Sequence, residues 1–356
     1  MSTQRDVATH ANVSSASVSR FLGNPASVSP ETAQRIQVAI DKLDYKVDYS
    51  AQCLKTGRYN HIGILAPGIG PFYWEMFFSI QAHLGDLGYF STLFFTRDVE
   101  SNAHSYRNMV PPFLKKKQLD AIIFFPTLSP EDDALLDQLK AWNKPFLLLD
   151  RPLQPDLFAQ MYFDNYQAGH QAALAFLELG HREFLFIRGV ADSPATLDRF
   201  NGFSDCLAER GINLDASRQL NGEFSSVVTY DVSAKAFPTL PAFTAVFASN
   251  DSSAGGFMRA AREHGMHCPE DYSIIGFDDN PEFAPFLMPP LASFKQPVME
   301  CGKQAAEKIV QLINQESEPI DRRVFQPVFH PRESLSVAPV KPSHGKGNAI
   351  ELVSLA

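Results

Sequence analysis

From His61 onward the chain alternates short β-branched or aromatic runs with longer stretches whose apolar residues recur at helical spacing, the pattern of parallel strands joined by crossover helices. Runs at 62–66, 90–95, 121–125, 146–149, 184–188, 245–248 and 273–277 read as strands. Stretches at 74–87, 103–117, 131–142, 166–179, 197–210, 252–264 and 298–313 read as helices. So many elements exceed one ordinary doubly wound sheet. Two such sheets with a cleft between them are expected, because ligands of open α/β folds sit beyond the carboxyl ends of the strands.

Residues 1–60 have no strand pattern and instead carry helix-start chemistry. Thr3 followed by Asp6 begins like a capping box, and Ser14 can cap a second helix. Ser29-Pro30-Glu31 places a cap, a proline at the first helical position and an acidic first turn in order. Val7, Ala8, Ala11, Val13, Val18, Phe21, Leu22, Ile36, Ala39, Ile40 and Leu43 suffice for one small core. Two short helices turned at Asn12-Val13, then a longer third, form an N-terminal all-α helix-turn-helix arrangement. At the other end, the tail mixes Pro, Gly, Ser and Lys and is too short for a coiled-coil repeat.

The 356 residues, 45% hydrophobic and 20% charged, exclude a disulfide-stapled miniprotein and a disordered chain. Cys53, Cys206, Cys268 and Cys301 form no C-x-x-C pair and suit free thiols in a reducing compartment. The N-terminus lacks the apolar stretch of a secretory signal, and no apolar run approaches the roughly 18 residues that span a bilayer. A cytoplasmic protein without membrane contact is expected. The formal net charge of -9 argues at first sight against nucleic acid, but it is unevenly placed. Residues 1–60 carry seven basic side chains (Arg5, Arg20, Arg35, Lys42, Lys46, Lys55, Arg58) against five acidic ones (Asp6, Glu31, Asp41, Asp44, Asp48), a net of +2 that leaves -11 for the remainder. The acidity belongs to the larger part. A headpiece of such low charge implies weak non-specific DNA binding and a shallow salt dependence.

Asp6-Val7-Ala8, Ala11-Asn12-Val13-Ser14, Ser17-Val18-Ser19-Arg20 and Val28-Ser29-Pro30-Glu31-Thr32 form a dense string. It closely resembles the headpiece of the lactose-repressor/galactose-repressor (LacI/GalR) family of bacterial transcription regulators. The likeness continues through Ala39-Ile40-x-x-Leu43-x-Tyr45, Ser50-Ala51-x-x-Leu54 and Ile62-Gly63-Ile64. Gly180-His181-Arg182, Arg199-Phe200-x-Gly202-Phe203, Ser249-Asn250-Asp251, Ile275-Gly276-Phe277-Asp278-Asp279 and Pro289-Pro290-Leu291 follow in the family's order. The resemblance implies a headpiece (1–46), a hinge helix and linker (47–59), an α/β periplasmic-binding-protein-like core of two doubly wound parallel-sheet subdomains (60–340) and a tail (341–356).

Physically, the second helix would lie in the major groove with short polar side chains near base edges and phosphates. Ser15, Ala16 and Arg20 match positions through which the family reads its operator, Arg20 being suited to a bidentate guanine contact. Thr3, Ser14 and Ser19 are further candidate contacts, with helix capping or local backbone bonding as the alternative use of such side chains. Leu54 matches the hinge leucine that wedges into the minor groove. Val47 stands where the family commonly has proline, and Gln52 where it commonly has arginine.

Asp150, Asn250 and Asp278 fall at strand ends, and Arg199 opens a helix. Carboxylates, an amide and a guanidinium converging from separate strands can pair the adjacent hydroxyls of a sugar. Each matches an inducer-binding position of sugar-responsive members. Tyr73, Trp74 and Phe224 match positions that wall the ligand, and Gln296 lies on a returning crossover. A purine is the rival effector. Ser193 and Ala195 stand where purine-responsive members use arginine and threonine. A strand-end Asp also serves as a helix cap, the use expected of Asp251.

Other signals carry less. Gly68-Ile69-Gly70 lacks the third glycine of a dinucleotide fingerprint. His264 to Cys268 lacks a second metal-ligand pair, so neither metal nor cofactor is expected. Asp278-Asp279 has no nucleophile nearby in sequence for acid–base catalysis. The reading is a sequence-specific, sugar-responsive repressor, a homodimer on palindromic operator DNA. A pure sugar-binding protein and a sugar-modifying enzyme are the rival classes.

Overall fold

The computed structural model describes residues 2–45, 58–68, 70–95, 119–126, 130–153, 157–191, 193–318 and 320–340. The expected helix at 103–117, the hinge residues Val47, Gln52, Cys53 and Leu54, and the tail 341–356 lie outside them. The chain forms two compact units, Met1–Tyr59 and Asn60–Ala356.

In the first unit, α1 (Gln4–Ala11) opens with the expected capping box: Thr3 accepts from the Asp6 amide while the Asp6 carboxylate accepts from the Thr3 backbone. Ser14 caps α2 (Ser15–Gly23) and Ser29 caps α3 (Pro30–Lys42), each through its hydroxyl oxygen. Val7, Val18 and Ile36, one from each helix, are fully buried at the centre. The turn between α1 and α2 places Asn12 in the left-handed region, φ 51°. Arg35 of α3 then donates to the Ala11 and Asn12 carbonyls, both at 2.6 Å, fixing the angle between the first two helices.

The second unit holds two six-stranded sheets, each with one lobe's helices packed on it. The N-lobe sheet comprises β1 (His61–Ala66), β2 (Phe90–Phe95), β3 (Ala121–Phe124), β4 (Phe146–Asp150), β5 (Gln160–Phe163) and β11 (Arg322–Phe325), ordered β11-β5-β4-β3-β1-β2. The C-lobe sheet comprises β6 (Phe184–Arg188), β7 (Gln219–Asn221), β8 (Ala245–Ala248), β9 (Ser273–Phe277), β10 (Ala292–Lys295) and β12 (Val328–His330), ordered β12-β10-β9-β8-β6-β7. All pairings are parallel except β10 with β12. The run expected at 121–125 ends at Phe124, and five strands were not expected at all: β5, β7, β10, β11 and β12.

Among the described residues the helices are α4 (Pro71–Asp86), α5 (Pro130–Trp142), α6 (Asn165–Glu178), α7 (Pro194–Ala208), α8 (Ser226–Ala236), α9 (Asp251–Glu263) and α10 (Val298–Asn314). The chain passes between lobes three times, after β5, β10 and β11. Helices α6 and α7 pack with their backbones nearly touching, because Gly169 and Gly202 carry no Cβ. A Cβ on Gly202 would sit 1.9 Å from the Tyr166 carbonyl oxygen, and one on Gly169 2.1 Å from that of Arg199. In each sheet the first strand, β1 or β6, gains its second strand on one side and the third on the other, and such a switch point opens a ligand crevice at the strand ends.

Candidate functional site

On the headpiece, Ser15, Ala16, Ser19 and Arg20 are all exposed, presented by α2 on the side away from Val18 and Phe21. Arg20 is held along the helix, its Nε 3.5 Å from the Ala16 carbonyl, which leaves its terminal nitrogens outward. Thr3 and Ser14 are exposed too, but their side-chain oxygens accept the capping amides of Asp6 and Ser17. They are engaged in holding the helices, and any DNA contact would share that oxygen. Leu54 is outside the described residues.

Between the lobes the strand ends bring charge together. Asp150 ends β4 and Asp278 follows β9, both with positive φ (73° and 96°), a backbone state that non-glycine residues hold only when the surroundings impose it. Arg199, in α7, is buried. Its Nε donates to Asn165 Oδ1 at 2.8 Å, Nη1 donates to the Ser249 carbonyl, and the guanidinium lies 3.4 Å from the centre of the Phe277 ring. Asp150 pairs with the adjacent Arg151 (Nε to Oδ2, 3.4 Å), and Arg151 Nη2 lies 3.5 Å from Ser193 Oγ.

Burial pushes the Asp278 carboxyl up to about 6 against the pull of Arg199. It also raises Asp150, opposed by Arg151 and Arg199. Arg199 itself is lowered to about 10 by burial, with both aspartates pulling the other way. The four charges therefore act on one another across the lobes. With all of them ionised the group sums to zero, which suits a neutral ligand rich in hydroxyls more than an anion.

Tyr73 faces the same group. Burial raises its phenol well above the ordinary range, and Asp150, Arg151, Asp278 and Arg199 all act on it. Gln296, on the crossover after β10, is buried and donates to Asp278 Oδ1 at 3.1 Å, while its own Oε1 has no partner among the described residues. The hydroxyls of Thr196 and Ser249 are likewise buried without partners. Unspent donors and acceptors beside paired charges are what a polar ligand would satisfy.

Phe224 (φ 57°) lays its ring against Gly189, where a Cβ would come within 2.1 Å of it. Its carbonyl accepts from Asn250 Nδ2 at 3.1 Å. Trp74 differs from Tyr73: it points outward, 57% exposed and edge-on to Phe77, and is not drawn into the charged group.

One assignment is corrected. Asn250, not Asp251, caps α9, its Oδ1 accepting from the Ser253 amide. Asp251 is instead buried inside the first turn, accepting from Ser293 Oγ at 2.6 Å and from the Asn280 amide at 2.8 Å. Burial raises its carboxyl to about 8. The sequence reading also missed Arg151, Asn165, Thr196 and Phe277. Arg151 had a visible signal, a charge next to a strand-end Asp. Asn165, a fixed partner of Arg199, had none.

Comparison with known proteins follows the same lines. A family described as "Bacterial regulatory proteins, lacI family" matches residues 3–48, and a "Periplasmic binding protein-like domain" matches residues 173–335. The HTH-type transcriptional regulator DegA of Bacillus subtilis is 32% identical over 304 residues, covering 84% of this chain and 88% of the relative. A transcriptional regulator CelR–cellobiose complex superposes with a TM-score of 0.70 at 25% identity, covering 94% of this chain and 100% of that one. A lac repressor dimer bound to operator and an anti-inducer shares the fold, with a TM-score of 0.81 at 22% identity over 94% of this chain and 98% of the other. The relatives are transcription regulators, not enzymes. The chain belongs to the LacI family of bacterial regulatory proteins.

Proposed function

We propose that this DNA-binding regulator is a repressor whose operator affinity is set by a neutral sugar or glycoside held between the lobes of its core. One observation carries the proposal: two aspartates and two arginines from both lobes form a charge-balanced group flanked by unpartnered polar atoms. Sugar hydroxyls donate to carboxylates and accept from guanidinium and amide groups, so Asp150, Asp278, Arg199 and Gln296 would bind them, with Asn250 at the rim. Tyr73 and Phe224 would cover the less polar face of the ring. The cellobiose held by the CelR regulator supports a sugar. Ser193 and Ala195 weigh against a purine, since neither supplies the longer donors that the purine-responsive pattern uses.

Binding would draw on both lobes at once. Lys295, at the end of β10, pairs with Glu75 of α4 at 3.3 Å across the same boundary, so a change in lobe angle must break or strengthen this contact. A ligand shifts such an equilibrium only through unequal affinity for the two states, and operator DNA must then weaken an inducer's binding by the same factor. In the headpiece, Ser15, Ala16, Ser19 and Arg20 would read the major groove, two copies acting on a palindromic site, with Leu54 at the minor groove. Exposed Trp74 and Phe78, one turn apart on α4, offer an apolar face for the second copy.

Calorimetric titration of the full chain with monosaccharides, β-linked disaccharides and purine bases tests the ligand class. A sugar that binds wild type and loses at least tenfold in affinity with Asp278→Asn and with Asp150→Asn is expected. Binding of a purine alone, or sugar binding indifferent to both substitutions, would overturn the assignment.

A further inference from the structure

Away from the cleft, α6 and α7 carry a second polar cluster. His170 on α6, Cys206 on α7 and Glu209, which ends α7, bring one nitrogen, one sulfur and one carboxylate oxygen within 4.8 Å of one another. We infer that these three residues, Cys206 fully buried, His170 half-buried and Glu209 exposed, form a site for a Zn2+-class divalent cation, with a fourth position open to water.

The close helix packing creates the site. Gly169, next to His170, and Gly202, one turn before Cys206, let the two backbones touch, so short side chains can share a ligand. Cys206 and Glu209 are three residues apart and share a helix face. Tyr166, one turn before His170, donates to Asp205 at 2.9 Å, which closes one end of the cluster and occupies Asp205.

The imidazole is uncommitted. His170 Nδ1 is buried without a partner among the described residues, and Nε2 approaches Glu209 Oε2 only to 4.0 Å, beyond hydrogen-bond reach. Tetrahedral zinc with bonds of about 2.0–2.3 Å needs ligand separations of roughly 3.3–3.6 Å, so closure by about 1 Å is required. Glu209 is exposed and can bring its oxygen in by side-chain rotation, while the His170–Cys206 separation closes through rotation of the half-buried imidazole. Its present neighbour, Arg210 at 3.6 Å, is an exposed ion pair that a cation readily displaces.

Sulfur, imidazole and carboxylate together suit zinc, and three protein ligands leave one coordination position free. The cation would tie α6 to α7, the two helices that carry Asn165 and Arg199 to the cleft. Sequence spacing hides this site, since His170 and Cys206 lie on different helices.

The test uses the untagged full chain, stripped with chelator and titrated with Co2+, then Zn2+. One Co2+ per chain is expected, with thiolate charge-transfer absorption and four-coordinate visible bands that Zn2+ erases. Both signals should vanish in C206A and in the paired variant H170A/E209A, which spares the buried cysteine and so guards against a folding defect. C268A should retain them. No thiolate band in wild type, or a band that survives H170A/E209A, would overturn the proposal.

Discussion

Replacing Arg199 by methionine probes the group on which the cleft is built. The guanidinium satisfies two buried acceptors, Asn165 Oδ1 and the Ser249 carbonyl, and stacks on Phe277. Stranding a buried acceptor costs about 1–3 kcal/mol, and loss of a desolvated cation–π contact about 2 kcal/mol. Methionine recovers part of the packing and removes a buried charge, which offsets some of that loss. Two stranded acceptors and the lost ring contact, less that offset, put the expected destabilisation of Arg199→Met at about 3–5 kcal/mol. With a urea slope of about 2–3 kcal/mol/M, the unfolding midpoint should fall by roughly 1–2 M. Asp278→Asn in the same chain should recover part of the loss, because it removes one of the two carboxylates left facing a single arginine. Urea unfolding followed by circular dichroism reads wild type and both variants. If Arg199→Met unfolds within about 0.5 kcal/mol of wild type, the shift is that of an ordinary surface substitution and Arg199 does not organise the cleft.

Arg20→Ala should weaken operator binding by about 1–3 kcal/mol, or roughly 5- to 150-fold, and affect non-specific DNA far less; equal losses on both would make Arg20 a phosphate contact. For Asp278 the folded state keeps its proton up to about pH 6, whereas an unfolded aspartate releases it near pH 4. Its contribution to stability is therefore full below about pH 4 and lost as pH rises through 6. Relative to wild type, D278N should gain stability between pH 4.5 and 7, and a pH-independent difference would refute the raised carboxyl. Gly202→Ala should destabilise by about 1–3 kcal/mol through its collision with the Tyr166 carbonyl, while Gly85→Ala, which meets nothing within 4 Å, should not; urea midpoints of the two separate packing from helix propensity.

What could be read from the sequence follows burial. Strands β3, β4, β6, β8 and β9 are almost wholly buried and appear as continuous apolar runs. Edge strand β11 is mostly exposed and the three-residue β12 has no buried position, so Arg322-Arg323 and His330 hide them among loop residues. Helix α8 escaped notice because Val227, Val228 and Thr229 favour extended structure and its buried residues are the small Thr229 and Ser233. In the headpiece, caps are local hydrogen bonds between neighbours three apart, so Thr3, Ser14 and Ser29 could be placed in advance. The same locality misplaced the cap of α9 by one residue, since Asn250 and Asp251 are both good caps and only tertiary bonds to Ser293 and Asn280 separate them. Arg199 and the strand-end carboxylates were legible by position. Their partners were not, because Asn165, Ser249 and Phe277 lie far from Arg199 in sequence and meet it only once the C-lobe is folded.

Fluorescence anisotropy of the full chain on DNA flanking its own gene, at fixed salt with and without saturating sugars, glycosides and purines, joins headpiece to cleft in one measurement. Specific binding that a sugar or glycoside changes at least tenfold, and that D278N no longer transmits, is the predicted result. Specific binding that no such ligand alters, or sugar binding by a chain that retains no DNA at low salt, would contradict it.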